Sequence, residues 1–165
     1  MKTTRQQETE QILLDHYQQL YRLALSYVKT EADALDVVQE SAYKAYRDCR
    51  KVNESLHLKT WIYRIVINTS LDFLRKKSRE VPLEEWGPEP GNSSAYENLE
   101  VMELINRLSD KEKALIILRY FQDLKLEEIA EVLNENVNTV KARLYRTLKK
   151  LRLELEPEMP QEVSR

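Results

Sequence analysis

A segment in the last third of the chain carries side chains that could contact DNA. Residues 137 to 153 include six basic residues and no acidic one. The apolar positions recur at the spacing of a helix, so one face is predicted to pack inward. This inward stripe comprises Val137, Val140, Leu144, Leu148 and Leu151. Amides near the start of such a helix suit base edges in the major groove, and cations further along suit phosphates. The candidate contacts on the outer face and its flanks are Asn138, Thr139, Lys141, Ala142, Arg143, Arg146 and Lys149.

The residues before this segment supply the element that would position it. Leu126 to Leu133 is predicted to be a short helix, residues 134 to 136 a turn, and Val137 to Arg152 a longer helix. This is the spacing of a helix-turn-helix. The cations could instead simply face solvent, as on most basic surface helices. Such faces usually mix charge signs, however, so charge and motif together favour DNA contact.

A second basic segment combines cations with an aromatic ring and an amide. Such a mixture holds single-stranded nucleic acid, in which cations follow the backbone and rings stack on bases. Trp61 is also a stacking candidate, but a tryptophan on an amphipathic helix is more often part of the core. The candidate contacts are Lys59, Tyr63, Arg64, Asn68, Arg75 and Lys76, with Lys77 and Arg79 beyond them.

A third, mainly acidic, face lies on the helix before that segment. From the residues alone, a solvated surface is favoured over a protein-binding one. The face comprises Asp33, Asp36, Gln39, Glu40 and Lys44.

The composition argues against an enzyme. The chain has one cysteine, Cys49, and two histidines, His16 and His57, so neither an internal disulfide nor a metal-ligand cluster can be drawn. Glycine-rich phosphate loops and nucleophile–histidine pairs are missing as well. We therefore expect no catalytic residues, no cofactor, no metal and no small-molecule substrate.

Targeting signals are not apparent either. Apolar runs stay well short of the roughly 20 residues that span a bilayer. Residues 1 to 11 are polar and lack the apolar core of a signal peptide. The sequence therefore predicts a cytoplasmic protein.

Helix breakers and charge divide the chain into domains. Both glycines and three of the five prolines fall within residues 81 to 92. Residues 81 to 110 carry one basic and seven acidic side chains, whereas the flanking blocks are mildly basic. We predict an N-terminal domain at 1–79, a flexible acidic linker at 80–93, a C-terminal domain at 94–153 and a tail at 154–165.

Helical periodicity predicts an all-α fold. Three amphipathic helices are expected in the first domain, with apolar stripes at 13–28, 34–49 and 62–73, and a helix-turn-helix in the second. Thr30, Ser94 and Ser109 are predicted N-caps, the last two as capping boxes with Glu97 and Glu112. Each domain is small, so its core should be thin and its stability should depend on partners.

Three blocks, in order along the chain, resemble the extracytoplasmic-function sigma factors of bacterial RNA polymerase. Residues 108–152, LSDKEKALIILRYFQDLKLEEIAEVLNENVNTVKARLYRTLKKLR, resemble the region that binds the minus-thirty-five promoter element. Residues 33–46, DALDVVQESAYKAY, look like the helix that docks on the clamp helices of the polymerase's largest subunit. Residues 58–77, LKTWIYRIVINTSLDFLRKK, are similar to the segment that recognises and opens the minus-ten element.

The resemblance assigns roles to the three sets of candidates. It implies that the acidic face binds core polymerase, the second basic segment binds the minus-ten element, and the helix from Val137 binds the minus-thirty-five element. The loop from Arg50 to His57 would hold an unstacked base. The resemblance further implies promoter-specific initiation, in a stress or envelope response, and an anti-sigma factor that is commonly membrane-anchored.

The chain departs from the family pattern at several positions. The family usually has glycine where this chain has Asp123, Asn134 and Asn138, serine at Lys125, and often proline at Asn136. Asp and Asn tolerate left-handed backbone, so the turn can form at Asn134, and Asn136 can cap the next helix. Asn138 brings an amide that could pair with adenine.

Two other classes of protein fit the helix-turn-helix. One is a conventional regulator whose N-terminal helices dimerise or bind a ligand, and the other is a helical adaptor with no role on DNA. A regulator needs a self-complementary face or a pocket, which the first domain does not suggest. An adaptor with no role on DNA would not explain why the predicted helix from Val137 has six basic side chains and no acidic one up to residue 153.

Overall fold

The structure, a computed structural model, describes residues 4–52, 57–80 and 99–155. Within these ranges every regular element is a helix, which confirms the predicted all-α class. None of the described helices is long and apolar enough to cross a membrane.

The N-terminal half contains four α-helices. They are α1 (Thr4–Asp15), α2 (Tyr17–Val28), α3 (Glu31–Asp48), which continues into a 3-10 turn at Cys49–Lys51, and α4 (Leu58–Glu80). The C-terminal half contributes α5 (Leu99–Asn106), α6 (Asp110–Ile116), which continues into a π-helical turn at Ile117–Phe121, α7 (Leu126–Leu133) and α8 (Val137–Leu155).

Helix α1 was not among the three helices predicted for the N-terminal half. The apolar stripe that begins at Leu13 is interrupted at His16, where the backbone leaves helical geometry at φ −111° and ψ 17°. Helix α1 is largely polar and buries only Thr9 completely, so its sequence has little apolar periodicity. It packs on α3 and on the turn that follows α3.

Two of the predicted N-caps are confirmed. The Thr30 hydroxyl accepts a hydrogen bond from the Asp33 amide at 3.2 Å. Ser109 and Glu112 form the reciprocal capping box, with the Glu112 amide donating to the Ser109 hydroxyl at 3.3 Å and the Ser109 amide donating to the Glu112 carboxylate at 3.1 Å. The third predicted cap, Ser94, lies outside the described residues.

The first helix, the turn and the start of the second helix of the helix-turn-helix have the predicted bounds, whereas α8 ends at Leu155, beyond the predicted Arg152. Asn134 ends α7 in left-handed geometry, with φ 56° and ψ 49°, and the Asn136 Oδ1 accepts from the Asn138 amide at 2.8 Å to open α8. Asp123 is also left-handed, at φ 54°. Asp123 and Asn134, where the resembled family usually has glycine, therefore adopt the left-handed backbone that glycine would favour.

The two halves share one hydrophobic core. A single cluster of buried residues joins Leu23, Ile62 and Val66 of the N-terminal half to Leu115 and Ile129 of the C-terminal half. A second, smaller cluster, formed by Ile105, Leu108 and Ile116, lies within the C-terminal half. Small domains bury too little apolar surface alone, and here each half covers part of the other. The proposed linker falls mostly outside the described residues, so the domain boundaries remain a prediction.

Candidate nucleic-acid interface

Helix α8 presents most of its candidate DNA contacts to solvent. Its inner side packs on α5, α6 and α7 through buried Val140 and half-buried Leu144. The predicted inward stripe is wrong at one position, because Leu148 is exposed and Thr147 is buried instead. The Thr147 hydroxyl donates to Glu112 Oε2 at 3.3 Å, which satisfies it inside the fold. The exposed candidates are Asn138, Thr139, Lys141, Ala142, Arg146 and Lys149.

The remaining candidate on α8, Arg143, is held by the turn. Its guanidinium donates two hydrogen bonds to the Glu135 carboxylate, at 2.6 Å and 2.8 Å, and both side chains are only 15% exposed. The pair lowers the pKa of Glu135 and raises that of Arg143. Lys111 adds a weaker contact, with its Nζ 3.9 Å from Glu135. Arg143 therefore fixes the angle between the turn and α8 and is largely withdrawn from the exposed surface of α8.

The acidic face of α3 divides into exposed and structural members. Asp36, Gln39 and Glu40 are exposed. Asp33 instead forms an ion pair with Lys77 of α4 at 2.8 Å. Lys44 donates to the Thr69 hydroxyl of α4 at 3.2 Å and lies 3.7 Å from Glu40. Two of the five predicted polymerase contacts thus also hold α3 against α4.

The minus-ten candidates on α4 are similarly divided. Asn68, Arg75 and Lys76 are exposed, and Arg75 pairs with Asp72 at 2.7 Å. Tyr63, predicted as a stacking ring, is only 2% exposed. Burial, aided by the negative charge of Glu128 on α7, raises the pKa of Tyr63 to about 12. Lys59 is half-buried, with its Nζ 5.9 Å from the centroid of the Tyr63 ring.

Arg64, one of the cation candidates on α4, contacts the other half of the protein. Its Nε donates to the carbonyl of Val132 at 2.8 Å, and its Nη2 donates to the carbonyl of Glu131 at 2.6 Å. Both carbonyls lie in the last turn of α7, where the negative end of the helix dipole attracts a cation. The Glu131 carbonyl also accepts from the Asn134 amide, at 3.2 Å.

Glu131 is a residue that the sequence analysis missed. Its carboxylate accepts from the backbone amide of His57, immediately before α4, and lies 2.9 Å from His57 Nδ1. Contact with Glu131 raises the pKa of His57. Although burial opposes it, the contacts from His57 lower the pKa of Glu131. No local pattern pairs positions 57 and 131, so only the packing of α7 on α4 reveals this contact.

Comparison with known proteins identifies the family. The sigma-70 region 2 family matches residues 12–80 and the sigma-70 region 4 family matches residues 98–151. The chain is 45% identical over 149 residues to the RNA polymerase sigma factor SigV of Bacillus subtilis, covering 88% of this chain and 90% of that protein. It is 30% identical over 166 residues to the ECF RNA polymerase sigma-E factor of Haemophilus influenzae, covering 90% and 88%.

The chain belongs to the extracytoplasmic-function sigma factors. The likeness extends to the fold. Sigma factor RpoE of Bartonella quintana, solved with the anti-sigma factor NepR, aligns over 92% of this chain and 99% of its own, with a TM-score of 0.70 and 24% identity. CnrH, solved with the cytosolic domain of CnrY, aligns over 93% and 91%, with a TM-score of 0.72 and 23% identity.

Family membership decides between the classes of protein left open by the sequence. A sigma factor binds core RNA polymerase and directs initiation at particular promoters, and it is not an enzyme. This excludes both the ligand-sensing regulator and the adaptor without a role on DNA. The N-terminal half is sigma region 2 and the C-terminal half is region 4.

The Arg143–Glu135 pair gives a testable prediction. Replacing either residue with alanine should lower the free energy of unfolding by about 1.5 to 3 kcal/mol, since a charged hydrogen bond is lost and its partner is left half-buried. Because both replacements remove the same interaction, the double variant should lose clearly less than the sum of the two. Urea denaturation measures all three variants. Additive losses would show that the two side chains do not stabilise each other.

Proposed function

We propose that three surfaces of this sigma factor divide the work of initiation. The exposed acidic residues of α3 dock on core polymerase, the basic face of α4 engages the minus-ten element, and α8 enters the major groove of the minus-thirty-five element. The observation that carries the proposal is the outer face of α8. It is a helix of cations and amides without an acidic side chain from Val137 to Leu153, opened by a well-formed cap at Asn136.

On α8, position along the helix separates base contacts from phosphate contacts. Asn138 and Thr139 lie in the first turn, the end of a recognition helix that enters the groove. Lys141, Arg146 and Lys149 follow along the same exposed side, where they can neutralise phosphates. Arg143 supports this surface from behind through Glu135. Ala142 leaves room for close approach to the groove.

On α3, the proposed docking surface comprises Asp36, Gln39 and Glu40, together with exposed Leu35 and Tyr43. Acidic groups around exposed apolar side chains are typical of a protein interface with a basic partner surface. Asp33 and Lys44 set the angle of α3 on α4 through Lys77 and Thr69. They contribute to docking by positioning α3.

On α4, the proposed minus-ten surface comprises Lys59, Tyr63, Arg64, Asn68, Arg75 and Lys76. Its exposed members, Asn68, Arg75 and Lys76, are available in the described structure. Lys59 and Tyr63 lie side by side and would supply a cation and a stacking ring to an unstacked base once the buried Tyr63 ring is exposed. The loop before α4 would complete the base pocket, and residues 53–56 of it lie outside the described residues.

We further propose an inhibitory partner, an anti-sigma factor that is anchored to a membrane and responds to stress or damage at the cell envelope. The polymerase-binding candidates on α3 and the DNA-binding candidates on α8 are exposed. A factor with both surfaces exposed would act constantly, so control of its activity requires a partner that covers them. Sigma factor RpoE of Bartonella quintana, which has the same fold, was solved in complex with an anti-sigma factor, NepR. The factor itself would act in the cytoplasm, where core polymerase and the chromosome are.

Reversal of charge on α3 tests the docking surface. The double variant Asp36→Lys with Glu40→Lys should weaken binding to core polymerase at least tenfold, because two attractive contacts become repulsive. Both side chains are exposed, so helicity and thermal unfolding should stay close to those of the parent protein. Binding is measured by titrating a labelled factor with core polymerase.

The matched control places the same charge change elsewhere. Glu103 on α5 and Glu127 on α7 are also exposed, and their replacement by lysine alters net charge equally. If the two double variants bind core polymerase alike, the α3 surface has no special role in docking.

Two substitutions on α8 separate base reading from phosphate binding. Arg146→Ala should weaken binding to every variant of the minus-thirty-five element by a similar factor. Asn138→Ala should instead change the preference among variants, since a bidentate base contact is worth about 1 to 3 kcal/mol of discrimination. Binding of holoenzyme to a set of single-base variants measures both effects, with Arg22→Ala as the control, an exposed cation on α2 outside the three proposed surfaces. An unchanged order of preference in Asn138→Ala would show that this amide does not read a base.

A further inference from the structure

The part of the proposed minus-ten face of α4 that contains Tyr63 and Arg64 is covered by region 4. Tyr63 and Ile67 of α4 and Ile129 and Val132 of α7 are all buried in the shared core. Beside them, Arg64 and Asn68 line a cavity of about 290 Å³, whose other walls include residues of α6 and of the turn after α7. A DNA strand and α7 therefore cannot occupy this face together.

Two polar contacts hold α7 in place, and each completes the end of a helix in the other half. Arg64 of α4 donates to the carbonyls of Glu131 and Val132 at the C-terminal end of α7. Glu131 of α7 accepts from the His57 amide at the N-terminal end of α4. A cation at a helix C-terminus and a carboxylate at an N-terminus are both favourable with respect to the helix dipoles. We call Arg64, Glu131 and His57 the latch.

A third contact between the halves carries an energetic cost. Lys113 of α6 is only 8% exposed, and its Nζ lies 4.9 Å from the centroid of the Tyr27 ring on α2. Burial, together with the nearby charge of Lys29, lowers the pKa of Lys113 to about 8. Separation of the halves would return this ammonium to water, which offsets part of the contact energy lost. Specific contacts therefore stabilise the closed arrangement, while the burial of Lys113 reduces the free energy needed to separate the halves.

We propose that region 4 is an intramolecular inhibitor of region 2, and that the latch keeps the free factor closed until polymerase separates the halves. This rests on the proposed role of α4 at the minus-ten element. Arg64 has two alternative partners, the carbonyls of α7 in the free protein and the nontemplate strand in the open complex. Closure suppresses DNA binding by the free factor before any separate inhibitor acts.

The arrangement of the halves is tested by the distance between two spin labels in the free, full-length chain. Arg22→Cys on α2 and Lys141→Cys on α8 place labels at exposed sites, with buried Cys49 replaced by alanine. The protein with an intact latch should give one narrow distance distribution. Glu131→Ala should give a broad distribution that extends to longer distances. The control, Glu127→Ala, changes an exposed carboxylate on the same helix and should behave as the parent does.

The functional consequence is tested by fluorescence anisotropy with a labelled single-stranded oligonucleotide, the nontemplate minus-ten strand of a promoter that the holoenzyme transcribes. Glu131→Ala should bind it about tenfold more tightly than the parent, a gain of about 1.4 kcal/mol. His57→Gln, which keeps the backbone amide but alters the ring contact, should give a smaller gain. Circular dichroism of each variant establishes that it is folded.

Three results would overturn the proposal in distinguishable ways. A broad distribution in the parent would show that the free factor is not closed. An unchanged distribution and affinity in folded Glu131→Ala would show that the latch does not hold the halves together. In a third outcome, Glu131→Ala opens but neither protein binds the oligonucleotide. This result would support the closed state of the free factor, but it would contradict both the minus-ten role of α4 and the inhibition by region 4.

Discussion

The arrangement of this sigma factor depends on Arg64. A guanidinium can satisfy helix carbonyls or DNA phosphates and bases, but one side chain cannot reach both at once. In the described structure it donates to the last turn of α7, next to a carboxylate that completes the first turn of α4. The same few atoms therefore join region 2 to region 4 and withdraw a proposed DNA contact. On this proposal, the separation of the two regions also exposes the minus-ten surface.

The size of the two halves explains why such a contact arises. Neither half is large enough to bury an extensive core, so apolar side chains of α2, α4, α6 and α7 form one cluster. Polar groups at the edge of that cluster must find partners or pay a desolvation penalty. Arg64 and Glu131 meet this requirement by bonding to backbone groups at helix ends, which lack partners within their own helices. The contacts that stabilise the closed form are therefore the same ones that mask the proposed DNA surface of α4.

Periodicity and capping in the sequence predicted much of the fold. The turn of the helix-turn-helix, the left-handed Asn134 and the cap at Asn136 follow from local chemistry, and the structure has all three. Helix α1 was missed because it is largely polar, and Thr147 was missed as an inward residue because its hydroxyl is satisfied by distant Glu112. Local patterns say little about such partners.

The same limit applies to the candidate site. The sequence identified which side chains could bind DNA, and most of those on α8 are exposed. It could not show that Arg143 is held by Glu135, that Tyr63 is buried, or that Arg64 contacts α7, because each depends on how elements distant in sequence pack. Residues that serve the closed form and residues that serve DNA binding have the same chemical types, so packing alone distinguishes them.

A reconstruction by electron cryomicroscopy of the factor bound to core polymerase and an opened promoter would test the central claim most directly. The decisive quantity is the distance from the Arg64 guanidinium to the carbonyls of Glu131 and Val132. We expect it to lie far beyond hydrogen-bonding range, with Arg64 against the nontemplate strand and Tyr63 exposed to an unpaired base. An open complex in which Arg64 still donates to both carbonyls would contradict the account, because region 2 would then engage the promoter without release from region 4.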